Sequence, residues 1–146
     1  MTGLTHKQLC DIGKSWLINA KGCNPVFVER GSARLREIPD VIGWDGNTCY
    51  VIECKISMSD YLADYKKPHR YENGLGEYRY YLVAREVFEK VEKPENGWGL
   101  VLATENDINT YARQASKCDS RSFPRNLTGE IAYMRSRFME IQRYGK

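Results

Sequence analysis

Apolar positions recur at helical spacing from the start of the chain. Leu9, Ile12, Trp16 and Leu17 form one stripe, and Thr5 with Gln8 three residues on makes a capping box, so a helix is expected over 5–20. Lys21-Gly22 ends it. The period then changes. Residues 26–30 (VFVER) are short, apolar and β-branched, as a strand would be, and 31–37 read as a loop or widened turn. Residues 39–44 (PDVIGW) and 49–57 (CYVIECKIS) are two further strands joined through Asp45-Gly46, a strong hairpin signal. Together the three predict an antiparallel meander.

Ser59 or Asp60 is expected to cap a second helix over about 60–67 that Pro68 stops. After a loop at 71–76 come a fourth strand at 77–84, a short helix or turn at 85–95 and a fifth strand at 97–104. A turn at 105–109 leads to an edge strand at 111–115. Leu127, Ile131, Met134 and Phe138 are spaced three or four apart and predict a final amphipathic helix within 124–144. Helices before and after a run of strands give one α/β domain over 1–146, a mixed central sheet flanked by helices.

The 146 residues are one domain's worth, and 42% apolar content suffices for a core. No apolar run reaches the roughly 20 residues of a membrane span, and no signal segment opens the chain, so a soluble cytoplasmic protein is expected. Five cysteines (Cys10, Cys23, Cys49, Cys54 and Cys118) fit no zinc spacing and read as free thiols in a reducing compartment. Net charge is +3, and its distribution says more: Arg113, Lys117, Arg121, Arg125, Arg135, Arg137, Arg143 and Lys146 face only Asp119, Glu130 and Glu140 over 113–146. That basic C-terminal segment suits phosphate contact, and equally an ordinary solvated helix face.

The chemistry concentrates in 39–57. In the third strand Tyr50, Ile52, Cys54 and Ile56 point one way, and Val51, Glu53 and Lys55 the other. The hairpin returns Asp40 to the same end as Glu53 and Lys55. A charge in a sheet-like apolar segment needs compensation. It can come from an ion pair within the cluster, or from a hard divalent ion on carboxylate oxygens with a lysine beside it.

Pro39-Asp40, a hairpin and Glu53-Cys54-Lys55 resemble the signature of the PD-(D/E)XK nuclease superfamily. The stretch 52–71, with the strands at 78–83 and 99–103, is similar to bacterial and phage DNA-repair proteins of the MmcB type; the likeness spans about 5–104. It implies a restriction-endonuclease-like core and hydrolysis of DNA with Mg²⁺ or Mn²⁺, in a bacterial cell or a phage-infected host. It also implies Asp40, Glu53 and the backbone carbonyl of Cys54 as metal ligands, with Lys55 assisting the nucleophile. An upstream acid is expected in many members; Glu29 is the candidate, with Asp11 its rival and either one a surface acid otherwise.

Other residues offer weaker signals. Lys66, Lys67, His69 and Arg70 form a basic patch suited to backbone phosphates, or a solvated helix end favourable to the helix dipole. Gln8 caps, or points toward the site; His6 reads as a surface residue. Tyr78, Tyr80 and Tyr81 are expected in the core rather than stacking on bases. Limited surface on one small domain leaves room for a homodimer. The competing functions are a non-catalytic nucleic-acid-binding protein of the same fold and a viral module that engages a protein partner.

Overall fold

A computed structural model of the chain describes residues 3–29, 38–64, 74–114 less 106–109, and 118–144; at 105 and 110–114 the description is of the backbone. The expected loop at 31–37, the stop at Pro68 and the basic patch Lys66, Lys67, His69 and Arg70 lie outside the described residues.

Helix α1 (His6–Ala20) begins as its sequence dictates. The Gln8 N–H donates to Thr5 Oγ1 at 3.1 Å, and Gln8 Oε1 accepts from the Thr5 N–H at 2.7 Å. Both side chains satisfy amides that the first turn leaves open. The buried face is Leu9, Cys10, Ile12, Gly13, Trp16 and Leu17. Gly13 marks a close approach: a Cβ there would lie 3.3 Å from Ile52, Leu82 and Val41 side chains, so the helix backbone rests almost on the sheet.

Strands β1 (Val26–Val28), β2 (Val41–Asp45) and β3 (Thr48–Lys55) form the antiparallel meander. Asp45 pairs with Thr48 across a two-residue turn, and Gly46 supplies its positive φ of 60°. Helix α2 (Met58–Asp64) then crosses to β4 (Tyr78–Val83), which pairs parallel to β3. Helix α3 (Arg85–Lys90) leads to β5 (Gly99–Glu105), parallel to β4, and β6 (Thr110–Gln114) closes the edge antiparallel. Among the described residues the sheet is six-stranded and its spatial order follows chain order. Helix α4 (Leu127–Tyr144) ends the fold.

Two apolar layers result. Leu9, Ile12, Trp16 and Leu17 of α1 pack on Val41, Ile52, Leu82 and Val101. On the other face Ile42, Trp44, Val51, Tyr81 and Val83 meet Tyr61 of α2, Val87 of α3 and Tyr133 of α4. Of the tyrosines of β4, Tyr80 and Tyr81 are core residues as expected, and Tyr78 is partly buried against the core. Tyr80 packs edge-on to Trp16, Tyr81 lies between Tyr61 and Trp98, and Tyr78 stacks on Tyr50. All five cysteines are free, four of them buried.

Two expectations are corrected. The α2 start is Met58, held by Ser57 Oγ, which accepts from the Asp60 N–H at 3.2 Å; Ser59 and Asp60 are not its cap. In α4 most of the expected stripe faces out: Leu127, Ile131 and Phe138 are exposed and Met134 is partly buried against the core, while Glu130 and Tyr133 are buried. Glu130 sets that rotation. Its carboxylate takes Arg125 at 2.7 Å, the Gly76 N–H at 2.9 Å and Trp44 Nε1 at 3.4 Å, a network that a helix turned to its apolar stripe would break. Among the described residues, no helix is long and apolar enough to cross a membrane.

Candidate functional site

Strands β3 and β4 end side by side at Lys55 and Val83, and α2 and α3 leave from that edge. Carboxyl ends of parallel strands are where open α/β sheets carry ligands. The sheet changes there from antiparallel to parallel pairing, with β3 as the shared strand.

Glu53 and Lys55 point to the face covered by α2, as strand alternation requires. Glu53 is 5% exposed and Lys55 14%. The Lys55 ammonium lies 3.5 Å from Asp64 Oδ1 and 4.0 Å from Glu53 Oε1. Asp64, the last residue of α2, is 3% exposed and also accepts from the Tyr81 hydroxyl at 3.4 Å. The helix after the Glu53-Cys54-Lys55 triplet thus sends a buried acid back onto the lysine. Such a partner is far weaker at an exposed pair than at this depth, where removing it strands a charge.

Asp40 sits one residue before β2, next to the Val41–Ile52 pair, which places its backbone level with the end of β3. Its Oδ2 accepts from the Cys54 N–H at 2.8 Å and contacts His6 Nε2 at 3.3 Å. The first bond fixes the carboxylate against the β3 backbone; the second ties it to the first turn of α1. His6 is therefore more than the surface residue its position suggested, although its side chain is 51% exposed. Its pKa is raised from 6.5 to about 9, chiefly by the hydrogen bond to Asp40 and further by that carboxylate's charge, against a burial effect that lowers it.

Cys10 lies one helical turn after His6, with Sγ 3.8 Å from His6 Nδ1. The Cys10 thiol is shifted down by a hydrogen bond from Cys54, and burial drives the Cys54 thiol well up. One donor atom each from His6, Cys10 and Asp40 lie within 4.8 Å of one another, so this corner can hold a metal ion.

Of the sequence candidates, Glu53 and Lys55 come together, while Asp40 reaches the same strand end through the Cys54 N–H with its carboxylate turned to His6 of α1. Glu29 pairs through its backbone, its N–H donating to the Asp40 carbonyl at 2.9 Å. Asp11 is a surface acid, 3.7 Å from Lys7 in an exposed i,i+4 pair. Gln8 is the capping partner of Thr5. Part of the basic C-terminal segment is structural: Arg125 binds Glu130 and Glu77, Arg121 lies over Phe123, and Arg137 lies over Phe27. Sequence reasoning missed Asp64 and His6. The signal for Asp64 was slight, an acid at the exit of the helix following the strand.

No family model and no curated protein sequence matches the chain. Among solved structures it is similar to SPO1766, a protein of unknown function from Silicibacter pomeroyi. The TM-score is 0.65 at 21% sequence identity, covering 99% of this chain and 95% of that one. At this identity the likeness concerns the fold.

Proposed function

We propose that the chain is a metal-dependent nuclease acting on DNA, with a restriction-endonuclease-like core. The observation that carries this reading is the meeting of Glu53 and Lys55 at the carboxyl end of β3, with Lys55 held against Asp64 and the Cys54 N–H between them bonded to Asp40. The element order supports it: a helix, three antiparallel strands, a helix, then a strand parallel to the third. The resemblance of Pro39-Asp40 and Glu53-Cys54-Lys55 to the PD-(D/E)XK signature gives the same assignment.

The donor chemistry fits a hard divalent cation such as Mg²⁺ or Mn²⁺: two carboxylates, Asp40 just before β2 and Glu53 in β3, with the Cys54 carbonyl between Glu53 and Lys55. When bound, such an ion supplies charge neutralisation at a phosphodiester and lowers the pKa of water. The chain's own residues do the positioning. The Cys54 N–H fixes the Asp40 carboxylate. Asp64 and Glu53 hold the Lys55 ammonium at the strand end, where it can orient the attacking water or neutralise charge on a scissile phosphate. Tyr81 in turn holds Asp64. DNA as substrate, a role in repair or phage DNA processing, and pairing of two copies rest on the resemblance and on the small size of the domain.

The test is cleavage of single-stranded, duplex, nicked, flapped and branched DNA, with RNA controls, in Mg²⁺ or Mn²⁺. The wild type is run beside Glu53→Gln and Lys55→Ala. Metal-dependent product that falls about a hundredfold or more in both variants, with folding retained by circular dichroism, is the expected result. Cleavage that survives both substitutions places the chemistry elsewhere.

One observation favours a second reading. Asp40 Oδ2 is already shared by the Cys54 N–H and His6, as suits a fold kept for binding rather than catalysis. Salt-sensitive DNA binding with no cleavage of any substrate is the outcome that selects it.

A further inference from the structure

We infer that His6, Cys10 and Asp40 form a site for a borderline divalent ion of the Zn²⁺ type, distinct in chemistry from the hard-ion role of Asp40 and Glu53. Helix geometry makes the first half of the site. Residues four apart lie on one face, so His6 and Cys10 project from successive turns of α1 toward the same point. The hairpin makes the other half by carrying Asp40 to that point, 3.3 Å from His6 Nε2.

The donor set discriminates between ions. Imidazole nitrogen and thiolate sulfur are poor ligands for Mg²⁺ but ordinary ones for Zn²⁺, and a single carboxylate completes a common three-ligand arrangement. Bond lengths of about 2.0–2.3 Å in a tetrahedral site leave neighbouring donors roughly 3.3–3.8 Å apart. The contacts His6–Asp40 at 3.3 Å and His6–Cys10 at 3.8 Å are of that size. They use different ring nitrogens, so His6 must turn to present one of them to the ion, and its exposed side chain allows that turn. The backbone N–H of Cys54 already holds Asp40 Oδ2 and pre-orients the carboxylate, the task of an outer-shell donor.

Sharing Asp40 has a consequence that rests on the nuclease reading. An ion on His6 and Cys10 would take Asp40 Oδ2, the oxygen that already contacts His6, so Zn²⁺ would compete with a hard ion for that carboxylate and oppose catalysis rather than support it.

The test is a Co²⁺ titration of the reduced full-length chain, with absorbance as the readout and no DNA present. The expected result is a single equivalent bound, with a thiolate-to-cobalt charge-transfer band, tetrahedral visible bands, and displacement by Zn²⁺. Cys10→Ser removes the charge-transfer band, whereas Cys118→Ser keeps it. His6→Gln, an exposed change that leaves the capping box intact, weakens binding by at least about tenfold, the cost that even an outer-shell partner carries. A folded wild type without the thiolate band overturns the site, as does a band that survives Cys10→Ser or an affinity that His6→Gln leaves unchanged. Because cleavage is not read, a cobalt site in a protein that cuts no DNA sinks only the nuclease proposal, and cleavage without the site sinks only this one.

Discussion

The side chain with the clearest acid–base signature is His6. Its imidazole is held protonated by Asp40, with a pKa raised from 6.5 to about 9. A group whose folded pKa is raised contributes stability that is fully present below its unfolded value and is lost as pH rises through the folded one. The His6–Asp40 contact should therefore stabilise the chain below about pH 6.5 and fade toward pH 9 and above. Half exposure screens the pair, so the effect on unfolding is small and the titration itself is the better readout. The imidazole NMR shifts of the metal-free protein should titrate well above 6.5, and Asp40→Asn should bring the midpoint back toward that value. A wild-type midpoint at 6.5 would mean that the pair does not persist in solution.

At the scale of elements, α4 depends on one buried acid. Glu130→Ala removes the partner of Arg125 and leaves the Gly76 N–H and Trp44 Nε1 without their acceptor. A loss of roughly 3–5 kcal/mol is expected, read as a lower urea midpoint. A loss under about 1 kcal/mol would show that the network contributes little. The same helix shows where the sequence is hard to read. Helix α1 was legible because cap and stripe agree locally, and the β2–β3 hairpin because Asp45-Gly46 specifies its turn. The α4 stripe misled because its rotation is decided by Gly76 and Trp44, far away in the chain. Arg79 is a similar case. A charge in a strand is expected to face water, yet this one is fully buried, with its guanidinium bonded to the carbonyls of Gly74, Gly76 and Pro124. At the site, the residues of one hairpin could be foreseen. Asp64 and His6 could not, because their places depend on how α2 and α1 return to the sheet.

The whole molecule is a mixed sheet between α1 and the helices of the opposite face, and its candidate chemistry sits where β3 changes partners from an antiparallel to a parallel neighbour. Every strand lies next to its predecessor in the chain. None of the described strands has to be threaded between strands already in place, so a chain emerging from the ribosome can lay down each of them on the free edge left by the last. Assembly is then vectorial. The local β2–β3 hairpin forms early, and the parallel pairings, which must first close a longer loop, follow. Pulse-labelled hydrogen exchange during refolding should find the amides of Val41–Asp45 protected before those of Gly99–Glu105. On that schedule the hairpin carrying Asp40 and Glu53 exists before α2 brings Asp64 to Lys55, so the nascent protein holds its carboxylates well before it holds its lysine in place.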